Sequence, residues 1–238
     1  LCLIAINEVG KIGKAIESVI KQVDAVYLLD TGSTEDTIKE AERACKRAGK
    51  VFVCESINPQ TAPQVYKVND TQADWQLMKD LGYLKPEYDD YDKWLARDHQ
   101  AGDLFNFAEA RNINFGMAKT DYILWIDADD IVEGADNITR LMEQIGGYTG
   151  AHLWYRYQVS SDNKDIVGHN KLRVVKNGLY EWTSLAPIHE NLFPKQGIKI
   201  REILDESIKV RHTKTVEDFI KSGQRNIRVL KALEAREG

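Results

Sequence analysis

The stretch Tyr122 to Asp130, YILWIDADD, decides how this chain is read. Tyr122 to Ile126 is an unbroken apolar run, which fits an internal parallel strand buried on both faces better than an amphipathic one. Asp127, Asp129 and Asp130 follow at its carboxyl end. Ligands of open α/β sheets bind at that end, and a strand tip aims a first carboxylate without loop flexibility. Position and chemistry agree on a site.

Three neighbouring carboxylates repel one another, and each is costly to desolvate without a positive partner. A divalent cation is the natural partner. Hard oxygen ligands favour magnesium, manganese or calcium over zinc, and the first two usually reach a protein through one or two carboxylates plus substrate phosphates. In a continuing strand Asp127 and Asp129 point to one face, and the small Ala128 between them leaves room for a ligand. The competing reading is a helix start or a turn, since Asp favours both.

The chain has 238 residues, enough for one large α/β domain or two small ones with a sizeable core. Its 43% hydrophobic and 29% charged content is ordinary for a globular protein. No apolar run approaches the ~20 residues that span a bilayer, and no basic leader with a cleavage signature opens the sequence. A soluble, cytoplasmic protein is expected. Cys2, Cys45 and Cys54 lack metal spacing and sit in apolar surroundings, as core thiols do in a reducing compartment. A net charge of −5 argues against a broad grip on nucleic acid. The chain opens on Leu1 and ends within a helical pattern, so a fragment of a longer protein is one reading.

Outward from the acids, the first half reads as a βαβαβ unit. Leu1 to Ile6 is a short strand with Asn7 and Glu8 at its tip. Ile12, Ala15, Ile16, Val19 and Ile20 recur at helical spacing and predict a helix of about ten residues. Ala25 to Leu29 is a second buried strand closed by Asp30. Ser33 and Asp36 have capping-box-like spacing before a helix marked by Ile38, Ala41, Cys45 and Ala48, which Gly49 stops. Val51 to Cys54 is a third strand. Asp30, beside Gly32 and Ser33, suits hydrogen bonds to a base or ribose, or a plain helix cap. No glycine-rich dinucleotide fingerprint and no P-loop is present.

Residues 57–103 form an irregular insertion with Pro59, Pro63 and Pro86, and a short helix is predicted around Asp74 to Leu81. Its Trp75, Tyr83, Tyr88, Tyr91 and Trp94 fit a small satellite core, with a sugar-stacking lid as the alternative. Phe105 to Lys119 is helical and carries Arg111 and Asn112. Arg111 suits a phosphate or base carbonyl, or else a surface ion pair with Glu109. Ile138, Leu141, Met142 and Ile145 mark a further helix. His152 to Val159, Lys171 to Lys176 and Glu206 to His212 read as strands of an antiparallel or mixed sheet, and Trp182 to Glu190 as irregular. From Thr215 onward an amphipathic docking helix is expected.

The order of NE, LLDTGSTEDT, FAEARN, ILWIDADD, KLRVVKNG, IHE and RHT resembles glycosyltransferase family 2, with the GT-A fold: an α/β mixed sheet flanked by helices. The resemblance is to the branch whose members read DTGSTD, ARN, LWLDADE and RIHE, and it spans most of the chain outside the insertion. It implies one domain over 1–238: a nucleotide-binding half at 1–130, an acceptor-side half at 131–214 and a C-terminal helix at 215–238. It implies an inverting, metal-dependent transfer from a nucleotide sugar, a UDP-sugar by family habit, with Mn2+ or Mg2+. Ala5, Asn7, Glu8 and Asp30 would line the donor pocket. Arg111 would reach the nucleotide, and Asp127 and Asp129 the ribose and metal. His212 would complete the metal shell. Glu190 would be the base, with His189 beside it, and Arg173 would steady phosphate or acceptor. The acceptor stays open between a glycan, a protein, a lipid-linked sugar and a modified nucleobase. Val9 stands where the family commonly has an acid, and the insertion replaces a short linker.

A hydrophobic strand ending in DADD is also the first motif of haloacid-dehalogenase-type phosphatases, in which Asp127 would be the nucleophile and Asp129 the general acid. That motif usually opens its fold, whereas here a βαβαβ unit precedes it. A nucleotidyltransferase would carry a basic glycine-rich loop after the first strand, absent here. A binding module that keeps the pocket without turnover is the non-enzymatic alternative.

Overall fold

The computed structural model describes residues 1–34, 36–57, 72, 75, 76, 79, 89–95, 107–160, 162–184 and 190–213. Strands β1 (Cys2–Ala5) and β2 (Ala25–Asp30) are buried along almost their whole length, as their apolar runs require. With β3 (Val51–Ser56) they form a parallel sheet in the order β1-β2-β3, crossed over by helices α1 (Ile12–Glu17) and α2 (Thr37–Arg47). This is the βαβαβ unit expected from the periodicity. α1 is shorter than expected, at 6 residues, and gives way to a 3-10 turn at Ile20–Gln22. The Ser18 hydroxyl donates to the Ala15 carbonyl and accepts the Val132 N–H of a distant strand, so a tertiary contact competes with the helix. The expected Ser33 cap of α2 does not form either. Ser33 Oγ accepts the Asn7 N–H at 3.0 Å instead.

The second half is antiparallel and mixed. Strands β4 (Tyr122–Leu124), β5 (Asp130–Glu133), β6 (Gly150–Val159) and β7 (Asp165–Lys176) join β10 (Glu202–His212) in the order β4-β7-β6-β10-β5. β4 pairs antiparallel with β7, which corrects the expected parallel strand. Its parallel contact is a single bridge between Trp125 and Cys2. The expected burial holds, because Ile123, Leu124, Trp125 and Ile126 are all enclosed. An unbroken apolar run reports burial on both faces and says nothing about the direction of its neighbours. The Trp125–Cys2 bridge joins the two sheets into one.

The remaining pieces close the two faces. β8 (Tyr180–Ser184) and β9 (Glu190–Pro194) form a two-stranded antiparallel sheet, so Trp182 and Glu190 both stand on strands where an irregular segment was expected. A one-turn helix α3 (Tyr91–Leu95) lies in the insertion, where Trp75 and Tyr91 meet edge to face at 5.9 Å. Helix α4 (Phe107–Met117) packs on one sheet face with Tyr27, Leu29, Trp125 and Trp182. α1, α2 and α5 (Ile138–Gln144) pack on the other through Ile12, Ile16, Leu28 and Leu141. Most of the helix expected at Asp74 to Leu81, the side chains of Tyr83, Tyr88 and Trp94, His189 and the C-terminal helix lie outside the described residues. Among those described, no helix is long and apolar enough to cross a membrane.

Gly134, directly after β5, adopts φ +72°, and a Cβ there would sit 2.4 Å from the Ser207 carbonyl oxygen of β10. Gly178 has φ +81° with open space around it. Left-handed backbone costs a non-glycine residue about 1–2 kcal/mol. Gly178→Ala is therefore expected to lose about 1 kcal/mol in urea unfolding, and Gly134→Ala about 2–4 kcal/mol because a backbone clash adds to the strain. Equal losses would mean that β5 and β10 do not approach so closely.

Candidate active site

The chain leaves β4 at Leu124 and turns within the acids, so Asp127 and Asp129 do not lie on a continuing strand as expected. The turn is closed twice. Asp130 N donates to the Asp127 carbonyl at 3.0 Å, and Asp127 N donates to Asp130 Oδ2 at 3.0 Å. Asp130 then enters β5 directly opposite His212 of β10. Thr213 clamps the same turn, with its N and Oγ1 both donating to the Asp129 carbonyl at 2.9 and 2.6 Å.

This turn sends the acids to different partners. Asp127 Oδ1 accepts from Arg111 Nη2 at 2.6 Å, and Arg111 Nε donates to Glu190 Oε1 at 3.1 Å. One guanidinium therefore ties the acid turn to β9. Asp130, fully buried, faces Arg173 Nη2 at 3.1 Å and His212 Nδ1 at 3.0 Å. Asp129 lies 3.5 Å from the same imidazole nitrogen. Ligand atoms of Asp129, Asp130 and His212 all fall within 4.8 Å of one another, which makes them a candidate divalent-cation site. Two carboxylates and one imidazole are a donor set able to hold a divalent cation.

Burial shapes the charges. It opposes ionisation of Asp127, yet Arg111, Arg173 and Lys171 more than offset it and hold the carboxyl well below the usual range. Burial likewise works against the Arg111 charge, and Asp127 and Glu190 outweigh it, so the guanidinium is held above its ordinary value. Both groups are charged throughout the neutral range.

Helix α4 is aimed by Asn112, whose side chain donates to the Trp182 carbonyl at 2.9 Å and accepts the Trp182 N–H at 2.8 Å. That two-way bond fixes β8 to α4 and places Arg111 between the Trp125 and Trp182 rings, 5.0 and 4.9 Å away. The surface pair with Glu109 weighed for Arg111 is not what the structure shows.

The structure thus gathers Arg111, Asp127, Asp129, Arg173, Glu190 and His212. Arg173, expected to steady phosphate or acceptor, is fully buried beneath the acids. Its Nη2 makes an ion pair with Asp130 rather than a well-directed hydrogen bond, and its Nε has no hydrogen-bond partner among the described residues. It stacks on Trp125 and Tyr155 at 3.9 and 4.4 Å. Its direct work is to neutralise acids. Ala5 and Asp30 are register partners at the ends of β1 and β2. The Ala5 carbonyl accepts from Thr31, and the Asp30 carboxylate accepts the N–H groups of Gly32 and Ser33. Asn7, at φ +53°, accepts the Thr34 N–H, and Glu8 N donates to Thr37 Oγ1. These four residues shape the loops beside the tips of β1 and β2. Sequence reasoning gave no separate role to Asp130, the innermost acid, or to Asn112. The third acid of DADD was visible, but its inward direction comes from pairing with β10.

No protein-family model matches the chain, and no curated protein matches it. Solved structures do. S. aureus TarS residues 1–349 in complex with UDP matches at 12% identity with a TM-score of 0.52, covering 96% of this chain and 64% of that one. A longer TarS structure matches at 11% identity and TM-score 0.52, covering 92% and 37%. Glucosyl-3-phosphoglycerate synthase from Mycobacterium tuberculosis, in complex with Mg2+ and UDP, matches at 17% identity and TM-score 0.44, covering 98% and 77%. This chain has the GT-A fold. It spans 35–64% of the length of the TarS chains it matches.

Removing one partner of a buried ion pair strands the other, at a cost of about 3–5 kcal/mol. Arg173→Met is expected to lower unfolding stability by that amount, and Arg173→Met with Asp130→Asn by clearly less than the sum of the two single losses. Strict additivity in guanidinium melts would remove the pair from this account.

Proposed function

We propose that this domain is a metal-dependent, inverting glycosyltransferase of the family 2 type, acting on a nucleotide diphosphate sugar. One observation carries the reading: Arg111 links Asp127 of the acid turn to Glu190 of β9, beside the Asp129, Asp130 and His212 cluster. A leaving-group site and a candidate base then lie within one guanidinium of each other. The fold shared with a TarS structure that holds UDP makes uridine diphosphate the first nucleotide to test.

Asp129 and His212, with Asp130 behind them, would hold Mn2+ or Mg2+, which when bound supplies positive charge where a departing diphosphate gains negative charge. The chain's own residues do the rest. The Glu190 carboxylate takes the proton of an acceptor hydroxyl as that oxygen bonds to the sugar's anomeric carbon. The bond from that carbon to the diphosphate oxygen breaks on the opposite face, with its electron pair leaving on the nucleotide, which inverts the centre. Arg111 keeps Glu190 and Asp127 in position throughout. Ala5, Asn7, Glu8 and Asp30 would frame the nucleoside from the tips of β1 and β2, and His189 would flank the base. The acceptor remains a glycan, a protein, a lipid-linked sugar or a modified nucleobase.

The phosphatase reading needs an Asp127 free to attack, whereas both of its carboxylate oxygens face guanidinium groups, at 2.6 and 3.8 Å. A donor screen tests the proposal. UDP-sugar hydrolysis is expected to need Mn2+ or Mg2+ and to fall at least about 100-fold in Asp129→Ala. Glu190→Gln should lower kcat by about 100- to 10,000-fold with UDP affinity unchanged. Full UDP binding by a wild type that neither hydrolyses nor transfers any nucleotide sugar would favour a binding module. Turnover of a phosphate ester without nucleotide would favour the phosphatase.

A further inference from the structure

Lys171 stands two residues before Arg173 on β7, where the pairing with β6 shifts register at Arg173. They rest on the same two rings. Arg173 lies 3.9 Å from Trp125 and 4.4 Å from Tyr155, and Lys171 Nζ lies 4.9 and 5.1 Å from them. The two cations differ in what they do with their charge. Arg173 is fully enclosed and committed to Asp127 and Asp130. Lys171 is only partly buried, and among the described residues it has no ion pair and no hydrogen bond.

Nearby acids do not fill that gap, because each is already taken. Asp127 is held by Arg111, and Asp130 by Arg173 and His212. Burial, and then Arg173, push the Lys171 ammonium down to about 8, more than Asp127 and Asp130 raise it. A lysine in that condition has lost water without gaining an anion. A packing role alone would let its stem cover the two rings while the head reached fully into solvent. Its head is instead held against the rings, within the field of Asp127, whose side chain is 25% accessible.

We propose that the Lys171 ammonium is a substrate-anion contact, binding a phosphate or carboxylate oxygen of the molecule held at the accessible edge of Asp127. The proposal rests on the nucleotide-sugar reading above and deepens it. Two sources carry this chemistry: the diphosphate of the donor, or an acidic group on the acceptor. A cation at that point would complete a set in which Arg111 and Arg173 spend their charge on the protein's own acids and Lys171 spends its charge on the ligand.

Calorimetry on the whole chain, with wild type, Lys171→Met, Lys171→Gln and Lys171→Arg compared at equal melting temperature, tests it with three probes in Mn2+. These are UDP, uridine, and inorganic phosphate added over saturating UDP. If the donor supplies the anion, both neutral variants lose at least about tenfold in UDP affinity, uridine binding is unmoved, and Lys171→Arg recovers most of the loss. If an acidic acceptor supplies it, UDP affinity stays within about twofold, and the phosphate binding seen over UDP in wild type disappears in the neutral variants. Unchanged UDP and phosphate binding in both neutral variants overturns the proposal while leaving the nucleotide-sugar reading intact. A wild type that ignores UDP but binds phosphate through Lys171 overturns that reading instead. Binding of neither UDP nor phosphate overturns both.

Discussion

An enclosed carboxylate, Asp130, and a part-exposed one, Asp127, each held by an arginine, are the constraint on which the site depends. Asp130 and Arg173 are both fully enclosed, and charges taken out of water are tolerated only where partners are close and the remaining polar atoms are satisfied. Asp130 meets this demand with three partners: Arg173, His212 and the Asp127 N–H. Arg173 meets it less completely, since its Nε is left without a hydrogen bond, and stacking on Trp125 and Tyr155 offsets part of that cost. Asp127, nearer the surface, leans on Arg111. With the inner acid neutralised by protein groups, the outer acid and the imidazole are left facing one another at 3.5 Å.

The fold brings these groups together from segments far apart in sequence. Arg111 comes from a helix on one sheet face, Arg173 from β7, Glu190 from β9 and His212 from β10. Their meeting point is the seam where the parallel sheet and the antiparallel sheet join through Trp125 and Cys2. At this seam the acid turn lies between the βαβαβ unit and the mixed sheet. This position explains why the acid turn is so tightly bonded. The turn is the point at which the chain leaves one pairing partner for another.

Aromatic rings set the local dielectric around these charges. Trp125 and Trp182 meet edge to face at 4.7 Å, and both border Arg111. Tyr157 stacks on His212 with ring centres 5.7 Å apart and planes within 6°, which fixes the imidazole plane opposite Asp129 and Asp130. Burial, reinforced by Asp130, pushes the Tyr155 hydroxyl well above its usual range, so that ring contributes surface and no charge. Held planes and low dielectric are what a pre-organised site requires.

The sequence alone fixed the βαβαβ unit, the mixed second half and the position of the acids, because apolar runs and their periodicities report burial and element type directly. It also picked out Arg111, Glu190, Arg173 and His212 through a resemblance, without showing that they meet. Direction was beyond it. An apolar run does not say whether β4 pairs parallel or antiparallel, so it could not show that the acids turn rather than continue as a strand, nor that Asp130 faces inward while Asp127 faces Arg111. The commitment of Arg173 to acids, and the contrast with Lys171 two residues earlier, depend on which charges lie within a few ångströms after folding. Ion pairing falls off with distance in space and is blind to distance along the chain, so only the tertiary structure could decide it.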